Sequence, residues 1–405
     1  MAAAQSQRQI VMTGEHTLLP RSKSSSSGQR NFRIDLLRGV AILSVLVLHF
    51  NIAYRLLQGP LGRLLRGPYL SNLVWNGNYG VIIFFVISGY LITSTSLRRF
   101  GSLGNVSLRD FYAFRFARIL PCLVLALAAI NLLAWMGIEI FRGKENPPLW
   151  LSDLSVLTFW HNILMAKFGY FNYCLNIYWS LSVEEVFYIT FPLLCLLLRR
   201  ERWILPVWLL AIAIGPVYRH YHSHNEILFL YGNFACFDAI AMGCCVAVLA
   251  RKQVISIGQW TRRAIQIAAL AWMLFVFLHA GIDSVPVWGP TLMAGGTAIF
   301  LLAEGPSADV KGTEASGDLS LLTRLLSPIA WLGQHSYELY LFHILLLAGL
   351  MTNLPRSLMA PGTRLGWLVL FVAVSSLLSW AIARFYSEPL NRVLRRKLAP
   401  AVAAS

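Results

Sequence analysis

The sequence predicts an all-α, polytopic membrane helix bundle of about ten transmembrane helices, with the N- and C-termini both cytosolic. Three observations predict it. Hydrophobic residues make up 57% of the 405 residues and charged residues 13%, whereas a soluble domain carries about a quarter charged residues. The apolar residues gather in ten runs, most of them near the ~20 residues that a helix needs to cross the hydrocarbon core. The basic residues, which leave a net charge of +16, flank those runs. Membrane topology therefore accounts for them, and nucleic acid is not an expected partner.

The elements follow in order. Residues 1–33 are polar, Ser-rich and basic and contain no apolar signal-peptide core, so they read as a disordered cytosolic tail. The first run is then an uncleaved signal anchor. The runs lie at 34–53, 79–97, 118–137, 181–198, 203–217, 230–250, 264–281, 287–303, 328–352 and 365–386. The fifth is short enough to be tilted or re-entrant. With the tail in the cytosol, Arg98, Arg99, Arg109, Arg115, Arg118, Arg199, Arg200, Arg202, Arg251, Lys252, Arg262 and Arg263 fall on the cytosolic side, as the positive-inside rule requires. The largest outer loop, 137–179, contains a stretch from Trp150 to His161 that mixes apolar and polar residues as an interfacial helix does. His161, His220, His222 and His224 read as solvated loop residues. Residues 304–324 read as a flexible linker, and 393–405 as a basic cytosolic tail. The six cysteines have no CxxC spacing, so neither a disulfide framework nor a metal site is expected.

Ionisable groups inside such runs are costly and mark function. Asp35, Arg38 and His49 share one face of the first run. The eleven-residue step from Arg38 to His49 returns a helix to nearly the same face and separates the two by ~16 Å. Asp35 and Arg38 form an i,i+3 pair near the cytosolic interface. Arg115 and Arg118, just ahead of Pro121, form a basic fork suited to phosphate. In Trp179-Ser180-Leu181-Ser182-Val183-Glu184-Glu185, Ser182 and Glu185 fit a capping box. That leaves Glu184 one turn inside the membrane, where a carboxylate beside an imidazole holds its tautomer. The ninth run carries Ser336, Tyr337, Glu338, Tyr340 and His343, with His343 at a depth comparable to His49. Ser88 and Gly89 read as small residues that permit close helix approach.

Taken together, "FRIDLLRGVAILSVLVLHF", "FFVISGYLI", "FYAFRFARILP", "WSLSVEEVFY", "HSYELYLFH" and "YSEPLNR" resemble the acyltransferase-3 family of multi-pass membrane O-acyltransferases. The likeness runs from Phe32 to about Arg392, making 34–392 the acyltransferase transmembrane domain. It implies a cytosolic acyl-CoA, commonly acetyl-CoA, as co-substrate without a metal. It also implies a hydroxyl of a carbohydrate or glycolipid as acceptor, and the bacterial inner (plasma) membrane as location. The family's functional arginine and histidine map onto Arg38 and His49, its basic pair onto Arg115 and Arg118, and its glutamate onto Glu184 or the adjacent Glu185. Some members carry a fused SGNH-type domain. This chain ends soon after its last run, so a two-step relay within one polypeptide is not expected.

On this reading His49 is the general base and Glu184 orients it. Arg38, Arg115 and Arg118 bind the nucleotide end of the donor, and Tyr340 or Trp179 faces the oxyanion. The competing class is a proton-coupled glycan or lipid exporter. The sequence shows neither internal repeats nor the paired broken helices of such transporters.

Overall fold

The computed structural model describes residues 31–65, 67, 69–252, 258–304 and 317–398. The described residues form helices and turns and no strand. A chain surrounded by lipid must satisfy its backbone hydrogen bonds within each segment, and helices do so. The main helices are α1 (Phe32–Tyr54), α2 (Asn78–Phe100), α3 (Leu108–Trp135), α4 (Leu149–Leu157), α5 (His161–Phe168), α6 (Trp179–Leu198), α7 (Glu201–Tyr221), α8 (Asn233–Arg251), α9 (Gln259–His279), α10 (Gly289–Glu304), α11 (Gly317–Gln334), α12 (Ser336–Asn353), α13 (Arg364–Ile382) and α14 (Glu388–Leu398).

Eight helices among the described residues are long and apolar enough to cross a membrane. Large apolar side chains such as Trp135, Leu197, Trp260 and Val369 are more than half exposed. That is the outer surface of a bundle solvated by lipid, since a soluble monomer does not leave so much apolar area uncovered. The run at 203–217 is not short or re-entrant: α7 has 21 residues and continues on both sides of it. The run at 287–303 forms α10, of 16 residues. The run at 328–352 is broken at His335, the residue between α11 and α12.

The expected linker 304–324 is corrected in part. Residues 305–316 lie outside the described residues, but the chain is helical from Gly317. Of the N-terminal tail, residues 1–30 lie outside the described residues, and α1 begins at Phe32. Of the C-terminal tail, 399–405 lie outside them, whereas 393–398 belong to α14.

Two hydrophobic cores meet at α1. Ile34, Leu37, Ala41 and Val45 pack into one, with α2, α6 and α8. Ile42, Leu46, Phe50 and Tyr54 pack into the other, with α3 and α12. The spacings, three and four residues in the first set and four throughout the second, are the two stripes of one helix. The wall that carries Arg38 and His49 is therefore held from both sides.

Glycines set the closest approaches. A Cβ on Gly39 would overlap the Ile329 carbonyl of α11, and one on Gly333 would overlap the Asp35 carbonyl of α1. Gly89 of α2 and Gly243 of α8 face each other's backbones in the same way. This is the packing role expected of Gly89.

Candidate active site

Six dispersed motifs converge on one network. Arg38 donates from Nη2 to Ser336 Oγ at 2.9 Å, at the first residue of α12. Its Nη1 lies 3.8 Å from Asp35, the expected i,i+3 pair. Tyr337 donates to the Ile119 carbonyl at 2.8 Å, and Tyr386 to the Pro121 carbonyl at 3.3 Å. Ser387 donates to the buried Glu338 carboxylate at 2.7 Å. Contacts between helices far apart in sequence thus fix the start of α12 against α1, α3 and the segment that follows α13.

His49 Nδ1 lies 2.8 Å from His343 Nε2, with the rings stacked at 5.0 Å and 15°. His343 is fully buried. Its Nδ1 lies 3.0 Å from the Leu339 carbonyl, which only accepts. Neutral His343 therefore carries its proton on Nδ1 and accepts at Nε2. His49 must then donate from Nδ1, which leaves the lone pair on its Nε2. Among the described residues no group bonds that nitrogen, and His49 is half-buried rather than sealed. A directed imidazole lone pair of this kind can accept a proton from a hydroxyl brought within hydrogen-bond reach.

The carboxylate expected beside His49 is elsewhere. Glu184 is hydrogen-bonded by Ser88 and Tyr188 and lies 3.7 Å from Arg115. Buried Glu185 lies 3.9 Å from the same guanidinium, which stacks 3.3 Å over the Tyr188 ring. The partner of His49 is a second imidazole, and Glu184 does not orient it directly. The physical reason is charge pairing. A carboxylate in this interior is drawn to the nearest cation, and Arg115 stands opposite. Ser88 consequently bonds this cluster as well as packing. Tyr188 was not singled out from sequence, although its i+4 spacing from Glu184 places it on the same face.

The arginine fork also divides. Arg115 is turned inward and committed to two carboxylates, so it is not a free phosphate ligand. Arg118 is exposed and within coulombic reach of Arg38 and of Arg395 on α14. Arg99 and Arg395 flank the Phe114 ring, at 3.8 and 5.2 Å. The cationic end of the bundle is therefore Arg38, Arg118, Arg99 and Arg395. The last two were read as a topology anchor and part of a tail.

Further expectations need correction. Ser182 and Glu185 form no capping box, because α6 already begins at Trp179. Ser182 Oγ instead accepts from the His161 backbone amide at 3.1 Å. His161 is not solvated. It is fully buried and bonds Ser155 Oγ through Nδ1 at 2.7 Å, and burial pushes its imidazole down to about 4. His220 and His224 are exposed as expected, while His222 is half-buried against Tyr218. Tyr340 does not aim a free hydroxyl at an oxyanion. It donates to the Ile177 carbonyl at 2.8 Å and lies 2.7 Å from Ser180. Trp179 stacks on Tyr231 at 4.3 Å, with the edge of Phe85 beside it.

A family model described as "Acyltransferase domain" matches residues 31–384. The relative named "Putative peptidoglycan O-acetyltransferase YrhL", from Bacillus subtilis, is 26% identical over 379 residues, covering 88% of this chain and 54% of the relative. "Peptidoglycan O-acetyltransferase OatA" of Listeria monocytogenes is 26% identical over 329 residues, covering 76% of this chain and 48% of the relative. The chain thus spans about half the length of these curated relatives. No solved structure matches it.

Proposed function

The chain belongs to the acyltransferase-3 family, and from that premise we propose that it is an O-acetyltransferase that moves an acetyl group from cytosolic acetyl-CoA to a hydroxyl of a peptidoglycan-type glycan, across the bacterial inner membrane. The observation that carries the chemistry is the order His49–His343–Leu339, which leaves a directed lone pair on His49 Nε2. The glycan class of the acceptor rests on the names of the relatives. The acetyl-CoA donor rests on the cationic end of the bundle, whose arginines suit its phosphates.

Arg118, Arg99 and Arg395 hold the nucleotide end of the donor, and Arg38 marks the entrance to the bundle. The ~16 Å from Arg38 to His49 along α1 is the reach of an extended thioester arm. The acceptor hydroxyl approaches from the opposite end. His49 Nε2 removes its proton as the oxygen bonds to the thioester carbonyl carbon. The carbon–sulfur bond then breaks, and the His49 imidazolium returns the proton to the departing thiolate. His343 is a positioning residue: it holds the His49 tautomer that makes Nε2 the base.

The test is transfer of labelled acetyl from acetyl-CoA to a soluble glycan by the full chain in proteoliposomes. The wild type labels the glycan. His49→Ala, checked for folding by gel filtration, lowers the rate by about 10²–10⁴, the usual worth of a general base. Near-normal labelling by folded H49A removes His49 from the chemistry. Glycan movement without label would instead identify an exporter.

A further inference from the structure

A second cationic site stands at the other end of the bundle. No acidic residue occurs between Asp35 and Asp110, or between Glu338 and Glu388. The structure joins these two acid-free segments. Tyr54 donates to the Leu354 carbonyl at 2.9 Å. A Cβ on Gly59 would overlap the Pro361 carbonyl. Arg364 Nη1 donates to the Arg55 carbonyl at 2.9 Å and lies 3.4 Å from Gln58 Oε1.

The seam opens into a depression of about 750 Å³, lined by residues 356–361 and Arg364. Arg364 is only 6% exposed, yet among the described residues its Nε has no partner and its hydrogen bonds reach neutral oxygens alone. Arg356 on the rim is exposed. Neither arginine joins an ion pair among the described residues. Arg364 is also the first residue of α13, a 19-residue helix whose N-terminus has no side-chain cap. The positive end of the helix dipole there favours an anion.

A nearly buried guanidinium without a counter-charge is costly to maintain. A second guanidinium and a bare helix N-terminus beside it make the depression complementary to a compact, multiply charged oxyanion. We propose that Arg364, Arg356 and the N-terminus of α13 bind a phosphate ester presented at this face. Its sources are the headgroup of an anionic lipid or a phosphate carried by the glycan acceptor. Arg55 follows His49 by six residues, so the site stands ~9 Å beyond the imidazole along α1. The use of the site to hold an acceptor near His49 rests on the acyltransferase reading. Its existence does not.

The test is binding, with no acyl donor present. The full chain in neutral detergent is titrated with phosphatidylglycerol and, separately, with inorganic pyrophosphate, and bound ligand is counted by native mass spectrometry. We expect one tight site that weakens by about tenfold in R356Q and by about tenfold or more in R364Q, the usual loss for a hydrogen bond to a charged group. R392Q, at the opposite end, leaves that site unchanged. Binding of the lipid alone assigns the site to a membrane headgroup, and competition by pyrophosphate assigns it to a phosphate free of the bilayer. Arg356 is exposed and bonds nothing among the described residues, so R356Q decides the matter even where R364Q fails to fold. If R356Q binds both probes as the wild type does, or if neither probe binds the wild type, the site does not exist. Acetyl transfer to a neutral soluble glycan would be untouched by that failure.

Discussion

The substitution His343→Ala separates a positioned base from a base that merely happens to be buried. His343 is fully buried, and among the described residues the one side chain it hydrogen-bonds is His49, at 2.8 Å. Removing it takes away the acceptor for His49 Nδ1–H, so nothing then selects the tautomer with a free Nε2. The lost hydrogen bond alone is worth about 1 kcal/mol, roughly a fivefold factor in rate. The full general-base term, ~10²–10⁴, is the upper bound. We therefore expect kcat for acetyl transfer to fall between about fivefold and a hundredfold, with KM for acetyl-CoA unchanged. His343→Gln offers Oε1 as an acceptor and is expected to recover part of the loss. The two histidines act as one unit, so H49A/H343A is expected to be no slower than H49A. The assay is steady-state transfer in proteoliposomes, with gel filtration confirming folded protein. A folded H343A with wild-type kcat would refute the relay, as would a double variant whose losses multiply.

Three further outcomes follow from the packing and charges. Neutralising Arg118 or Arg395 by Gln is expected to raise KM for acetyl-CoA by about tenfold with little change in kcat, because uniform binding energy is lost; initial rates against donor concentration check this. Arg219 and Asp238 are buried and paired at 2.7 Å, with Thr291 donating to the carboxylate at 2.8 Å. Arg219→Met strands a buried carboxylate and is expected to cost about 3–5 kcal/mol, while R219M/D238L recovers most of it; thermal unfolding in detergent measures both. His161 supplies the pH dependence. Burial depresses its folded value from 6.5 to about 4, so the unfolded chain binds the proton more readily. Its contribution to stability is complete above pH 6.5 and is lost as pH falls toward 4. The loss approaches about 3 kcal/mol. The wild-type melting temperature is expected to drop across that window, and that of H161N to drop less.

The sequence by itself determined the class of fold. A bilayer admits few solutions, and ~20-residue apolar runs bounded by arginines announce one of them. It also determined the register of Arg38 and His49, because both lie on one helix and helical geometry fixes their face and spacing. The i,i+3 pair of Asp35 and Arg38 was legible for the same reason. Tertiary structure alone decided the partners. His343 meets His49 across 294 residues, and Glu184 meets Ser88 across 96. Which face each helix turns inward depends on how Gly39 and Gly333, or Gly89 and Gly243, let neighbouring backbones close. Burial of His161 likewise depended on the fold of the long loop above α6. Local periodicity specifies a helix and its apolar stripe. It carries no information about the rotation of one helix against another, and that rotation chooses which polar groups share the interior.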